Sequence, residues 1–323
     1  MTLSRRTVLA AGPAAALAAG APAMAQQAAP AASPSRLPAI YRLKVGDAEV
    51  VTIHDGSRGL PLTEQFVRNA SLPDVQAAME RAFLPKEQLD ITFTPVVVRT
   101  GRNLAVIDTG FADNGPPTAG GFLANLPTAG IDPSAVDTVL ISHFHGDHIS
   151  GMRRKDGSQV YPNAKVMVPA AEWAFWMDDA RMNQAPEAMR GSFALARRMF
   201  ADLGDRLVRF DPDKEVIPGI TAVATPGHTP GHTSFLVSSG GGRLLVTADI
   251  SNHPALFVRN PDWSAVFDMD ADQARATRRR VLDMAASERM QIVMFHAPFP
   301  ATGHIARAGS GYEFVPVQWS SHT

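Results

Sequence analysis

Six consecutive residues concentrate the chemistry of this sequence: His143-Phe144-His145-Gly146-Asp147-His148. His143 and His145 stand two apart, so on an extended backbone both imidazoles project to the same side. Asp147 and His148 join them only if the chain turns, and Gly146 permits that turn. Four polar side chains pressed together beyond an apolar run are costly to desolvate unless a cation organises them. A polar loop with incidental histidines would explain one histidine, but it explains this spacing poorly. Three further candidates stand where apolar runs end. His232 follows the turn Thr225-Pro226-Gly227-His228-Thr229-Pro230-Gly231, Asp249 follows Ala248, and His296 follows Phe295. His228 offers the same chemistry from the turn itself, and its preferred reading is a hydrogen-bonding turn residue. The chain has no cysteine, so thiolate sites are excluded and any metal is held by nitrogen and oxygen.

The elements that must position these groups alternate along the chain. Val50-Val51-Thr52-Ile53, Thr94-Pro95-Val96-Val97-Val98 and Leu104-Ala105-Val106-Ile107 are β-branched runs that predict strands. The last of them ends at Asp108-Thr109-Gly110. Residues 137–142 predict a buried strand that runs straight into the histidine cluster. Strands are likewise predicted at 166–168, 219–224, 233–237, 244–248, 291–295 and 312–317. Helices are predicted over 170–179, 185–203 and 270–286. Strands and helices interleaved without a linker predict an α/β layered domain.

Composition narrows the function classes. Among 323 residues, 30 are basic and 31 acidic, and no polybasic run provides the footprint of a nucleic-acid binder. Arg278-Arg279-Arg280 falls inside a helical pattern and is read as a solvated helix face. At the start, Ser4-Arg5-Arg6-Thr7-Val8-Leu9 opens an alanine-rich, uncharged stretch ending at the small-x-small site Ala23-Met24-Ala25. Residues 1–25 therefore read as a twin-arginine-type signal peptide, implying the twin-arginine export machinery as a partner and a periplasmic or secreted mature protein. The stretch is too weakly apolar, and too rich in glycine and proline, for a stable membrane anchor. Residues 26–38 read as a flexible leader, and the folded domain is expected over 39–323.

His143-x-His145-x-Asp147-His148, followed by His232, Asp249 and His296, resembles the ligand set of the metallo-β-lactamase superfamily. Asp108-Thr109-Gly110 resembles that superfamily's early aspartate turn, which supports the site from behind. The resemblance covers the chain from about residue 40 to its end. It implies an αββα four-layer sandwich with the site at one edge of two sheets. It also implies two divalent metal ions, the first on His143, His145 and His232, the second on Asp147, His148 and His296, with Asp249 bridging. Such ligands suit zinc first, and also manganese, iron or cobalt. A hydroxide bridging the two ions is then the expected nucleophile. Asp147 and Asp249 are the expected catalytic carboxylates, Asp147 serving also to orient that hydroxide or pass a proton.

Within the superfamily, the chain resembles the methyl parathion hydrolases. The likeness rests on Glu172-Trp173-Ala174-Phe175-Trp176, the Thr229-Pro230-Gly231-His232-Thr233 turn, His296-Ala297-Pro298-Phe299-Pro300 and the tail Gly311-Tyr312-Glu313-Phe314-Val315-Pro316-Val317. It implies a substrate pocket lined by Trp176, Phe193 and Phe111, the alternative being helix packing against the core. The N-acyl homoserine lactone lactonases share the ligand set, but some carry a tyrosine where this chain has Asn252, followed by His253. The expected function is therefore hydrolysis of a small-molecule ester, lactone or phosphotriester. Alternatives are β-lactamase-like or phosphodiesterase-like hydrolysis, or a non-catalytic periplasmic metal-binding protein. Gly115-Pro116-Pro117 and residues 177–190 are candidate lids or homodimer contacts.

Overall fold

A computed structural model describes residues 39–319. The expected signal peptide (1–25) and leader (26–38) lie outside the described residues. Two seven-stranded sheets carry the fold. In the first, β1 (Ile40–Val45) and β2 (Ala48–Ile53) form a hairpin. A smaller hairpin, β3 (Gly56–Pro61) with β4 (Gln88–Phe93), branches from it. The first sheet continues through β5 (Val96–Thr100), β6 (Asn103–Ile107), β7 (Thr138–Leu140), β8 (Lys165–Pro169) and β9 (Leu207–Phe210), parallel from β6 onward. The second sheet runs β10 (Lys214–Ile217), β11 (Ile220–Ala224), β12 (Thr233–Ser239), β13 (Gly242–Ala248), β14 (Gln291–Met294), β15 (Thr302–Ala308) and β16 (Gly311–Pro316). It is antiparallel except where β13 and β14 run parallel.

Alternation along each strand sorts side chains into layers. Val50, Val96, Val98, Ala105 and Ile107 of the first sheet pack against Phe235, Val237, Leu244 and Ile292 of the second. Val51, Val97, Val106, Val139 and Val166 point the other way, onto Phe122, Leu126, Phe193, Ala196 and Met199 of the outer helices. On the far side, Val281, Leu282 and Ala285 of the helix Ala271–Ser287 cover the second sheet. The expected four layers, helix on sheet on sheet on helix, are thus present. Asp270 caps that last helix by accepting from the Gln273 N–H at 3.0 Å.

Several elements differ from expectation. The strand expected over 137–142 stops at Leu140, because the Ser142 N–H leaves the ladder and donates to Asp108 Oδ1 at 2.8 Å. The helix expected over 170–179 ends at Trp176, and Asp178 caps a separate short helix, Asp179–Gln184. The longer region 185–203 shortens to Glu187–Met199, beginning after Pro186. Arg278 is no solvated face: it is 1% exposed and donates to the carbonyls of Ile250, Pro261 and Trp263 and to Asp268. Its neighbours Arg279 and Arg280 do face outward. The β3–β4 hairpin escapes a sequence reading because Gly56, Gly59 and Pro61 depress strand propensity.

Candidate metal centre

The site forms where strands of both sheets end on one edge. β6 leads into Asp108, β7 into the 143–148 loop, β13 into Asp249, and β14 to His296. β12, which starts just after His232, lies antiparallel to β13, so the 225–232 turn arrives at the same edge.

Two ligand clusters result. His143, His145, His228 and Asp249 form one; Asp147, His148, Asp249 and His296 form the other; within each, the donor atoms lie within 4.8 Å of one another. Asp249 belongs to both and so stands between them. The second cluster matches the sequence expectation. The first does not: His228 occupies the place expected for His232. His232 lies just behind, with both ring nitrogens engaged. Its Nδ1 donates to the Thr225 carbonyl at 3.0 Å, and its Nε2 accepts the Asp249 N–H at 3.0 Å. No lone pair remains for a cation, so His232 instead fixes the backbone of the shared carboxylate.

Hydrogen bonds on the outer nitrogens set the tautomers. His228 Nδ1 lies 3.0 Å from Asp268 Oδ1, whose other oxygen accepts from Arg278 at 3.0 Å. His148 Nδ1 is 2.7 Å from Asp108 Oδ2, and His296 Nδ1 is 2.8 Å from the Thr92 carbonyl. The Ser142 hydroxyl donates to Asp108 at 2.7 Å, so His143 Nδ1, 3.0 Å from that oxygen, is the donor to it. In each ring the N–H is used on the outside and the Nε2 lone pair faces inward. These inward nitrogens converge: His228 Nε2 and His143 Nε2 lie 2.9 and 3.1 Å from His145 Nδ1. His148 Nε2 and Asp249 Oδ1, both buried, face each other at 3.2 Å without forming a well-aligned hydrogen bond. Buried nitrogens and carboxylate oxygens converging in this way need positive charge between them, supplied by metal ions or by protons.

Charge supports that fit. Burial pushes His143, His145 and His232 down, the last two to about 3, so these rings stay neutral. Burial opposes charge on His148, His228 and His296 too, but neighbouring carboxylates outweigh it. His148 and His296 are raised, and His228 is lifted to about 9 by Asp249 and Asp268. Asp147, despite burial, is held at about 2 by His148 and His296, and Asp249 is held well below the usual range. Protons and metal ions therefore compete for the same atoms, and ion binding releases protons.

Glu172 ties the site to the outer helices. It is fully buried, which raises its pKa, and it accepts from the N–H groups of Phe144 at 3.3 Å and Gly231 at 2.9 Å and from Trp176 Nε1 at 2.6 Å. Trp176, expected in the substrate pocket, is thereby a core residue that anchors this carboxylate. Phe193, its 4.8 Å ring neighbour, is a core residue as well. Phe111 does line the cavity beside the clusters. That cavity holds about 430 Å³, with Arg58, Leu60, Ile91, Phe93, Phe267 and Asn252 among its other walls. Leu60, Ile91 and Phe93 come from the β3–β4 hairpin and Phe267 from the loop before the last helix. No motif marks them, and only the strand alternation of the hairpin could have pointed to them.

The metallo-beta-lactamase superfamily profile matches residues 94–296, and the chain belongs to that superfamily. It is a metal-dependent hydrolase. An N-acyl homoserine lactonase of Bacillus sp is 22% identical over 240 residues, covering 68% of this chain and 87% of the relative. Among solved structures, AidC, a dizinc quorum-quenching lactonase in complex with the product N-hexnoyl-L-homoserine, shares the fold with a TM-score of 0.83. The identity is 24%, over 88% of this chain and 99% of AidC. The hydrolase AbOPH of the beta lactamase superfamily also reaches 0.83, at 25% identity over 89% of this chain and 100% of its own.

Proposed function

We propose that the protein is a dinuclear zinc hydrolase that opens lactones and cleaves related carboxylic esters. The observation that carries this reading is the pair of ligand clusters sharing Asp249 beside a cavity that is also lined by Leu60, Ile91, Phe93, Phe111 and Phe267. His143, His145, His228 and Asp249 would hold one ion, and Asp147, His148, His296 and Asp249 the other. Two such ions supply Lewis acidity at a carbonyl oxygen and a water acidic enough to lose its proton near neutral pH.

The chain's own residues do the rest. Asp108, Asp268, Ser142 and the Thr92 carbonyl keep the imidazole lone pairs aimed inward. Asp147 lines the cavity, 3.5 Å from both His148 Nε2 and His296 Nε2. It is the carboxylate best placed to carry a proton towards the leaving alkoxide. Leu60, Ile91, Phe93, Phe111 and Phe267 exclude water around the acyl part of a substrate. Asn252, 6% exposed, has its side-chain oxygen buried without a partner. That oxygen is an acceptor open to an N–H or O–H group of the substrate, at a position where some lactonases resembling this chain use a tyrosine. The lactonase among the relatives supports the substrate class.

The test is a comparison of initial rates on a γ-lactone, an N-acyl homoserine lactone and methyl parathion, with zinc-loaded and metal-free protein. Lactone turnover that disappears on chelation and returns with zinc is expected. Rapid methyl parathion hydrolysis beside inert lactones would replace this reading with the phosphotriesterase suggested by the methyl parathion hydrolase resemblance. Tight zinc binding without turnover of any of the three would favour a non-catalytic metal protein. Export through the twin-arginine route to the periplasm is part of the same proposal. Replacing Arg5 and Arg6 by Lys should retain the precursor in the cytoplasm, and unchanged export would defeat it.

A further inference from the structure

Arg58 is the one permanently cationic side chain among the described residues that line the catalytic cavity. It is exposed, and its guanidinium has no hydrogen bond or ion pair within the described residues. Its place is set by the hairpin. Arg58 and Leu60 share one face of β3, and the register puts Arg58 opposite Ile91 of β4. Two residues along β4 from Ile91, Phe93 packs edge-on against the ring of His296 at 5.7 Å. A strand rises ~3.4 Å per residue, so the backbone of Arg58 lies about 7 Å along the hairpin from the level of Phe93. The hairpin's other contributions to the lining, Leu60, Ile91 and Phe93, are apolar. The only carboxylates in the lining are Asp147 and Asp249, both directed into the clusters. Two divalent ions would outweigh those two charges, so an anion entering the cavity meets no net repulsion at its floor and a free cation at its rim.

The geometry points to Arg58 as the receptor for the anionic end of the substrate, an ester or lactone whose acyl chain terminates in a carboxylate several methylenes from the scissile bond. This inference rests on the ester and lactone reading of the site. The guanidinium fork matches a carboxylate in two parallel hydrogen bonds, whereas a neutral chain end leaves it hydrated.

The test compares p-nitrophenyl hexanoate with the p-nitrophenyl monoesters of succinate, adipate and sebacate on zinc-loaded enzyme. The adipate ester should be preferred over the hexanoate by about two- to five-fold in kcat/KM, the range for an exposed charge pair. The preference should be carried by KM, weaken with salt, and be smaller for succinate, which is too short to reach. Arg58→Met should bring the ratio close to one, and Arg58→Lys should restore part of it. Equal rates for adipate and hexanoate esters, or a preference that survives in Arg58→Met, would overturn the inference. If no ester is hydrolysed, the reading of the reaction fails instead. Calorimetric binding of adipate to zinc-loaded wild type and Arg58→Met then decides the arginine's role by itself, with equal affinities refuting it.

Discussion

Replacing Asp268 by Asn removes one charge from a buried chain that ends at the first ligand cluster. Asp268 is 1% exposed. One carboxylate oxygen faces His228 Nδ1 at 3.0 Å and the other accepts from Arg278 at 3.0 Å. An amide can accept at only one of these positions, and its NH2 group then confronts a donor at the other. If His228 loses its acceptor, its tautomer and ring orientation are no longer fixed. Loss of such outer support costs 10- to 100-fold in metal affinity, or about 1.4–2.7 kcal/mol. Breaking a buried ion pair costs about 3–5 kcal/mol of stability. The lower end applies here, since three carbonyls still receive Arg278. Zinc binding measured against a competing chelator should show one ion held as in wild type and the other weakened 10- to 100-fold. The metal-free protein should melt earlier. Two ions bound with unchanged affinity, or both weakened equally, would refute the reasoning that Asp268 supports the His228 cluster.

The other predictions separate site from scaffold. His228→Ala should lose one zinc per chain, whereas His232→Ala should retain two and lose about 2–4 kcal/mol of stability through its broken hydrogen bonds; the reverse pattern in metal analysis would restore His232 as the ligand. Trp176→Phe should destabilise by about 1–3 kcal/mol by depriving buried Glu172 of a donor. It should leave KM close to wild type, while Phe111→Ala should raise KM, and a KM change confined to Trp176→Phe would contradict the cavity assignment. Burial pushes Asp55 from 3.8 up to about 6, although the N–H groups of Phe111 and Phe122 donate to it. The folded state therefore holds a proton that the unfolded chain has released between those values, so this group's contribution to stability declines as pH rises from about 4 to 6. The shift corresponds to on the order of 3 kcal/mol. Chemical denaturation of metal-free protein across that window should show a flatter profile for Asp55→Asn, and parallel profiles would refute the assignment.

The sequence alone carried the 143–148 ligand run, Asp249, His296 and the layered α/β fold. Each of these depends on short-range order, a two-residue spacing or an apolar run that ends at a polar group, which survives without knowledge of distant contacts. The choice between His228 and His232 was not of this kind. Both sit beside a glycine in the turn Gly227-His228-Thr229-Pro230-Gly231-His232, with equal local chemistry. Tertiary packing decided it. Gly227, at φ 128°, lies so close to Ala274 of the last helix that a Cβ would come within 2.3 Å of that backbone. This approach places His228 against Asp268, while the Thr225 carbonyl and the Asp249 N–H occupy both nitrogens of His232. The aromatic residues divided in the same way. Trp176 and Phe193 went to the core because Glu172 needed a buried donor, and Phe93 and Phe111 went to the cavity because a glycine-rich hairpin folds over it. Within Arg278-Arg279-Arg280, helix geometry turns only Arg278 towards Asp268. Chemically equivalent residues are told apart by contacts between segments some 40 positions apart, as with His228 and Asp268, and no local pattern encodes those contacts.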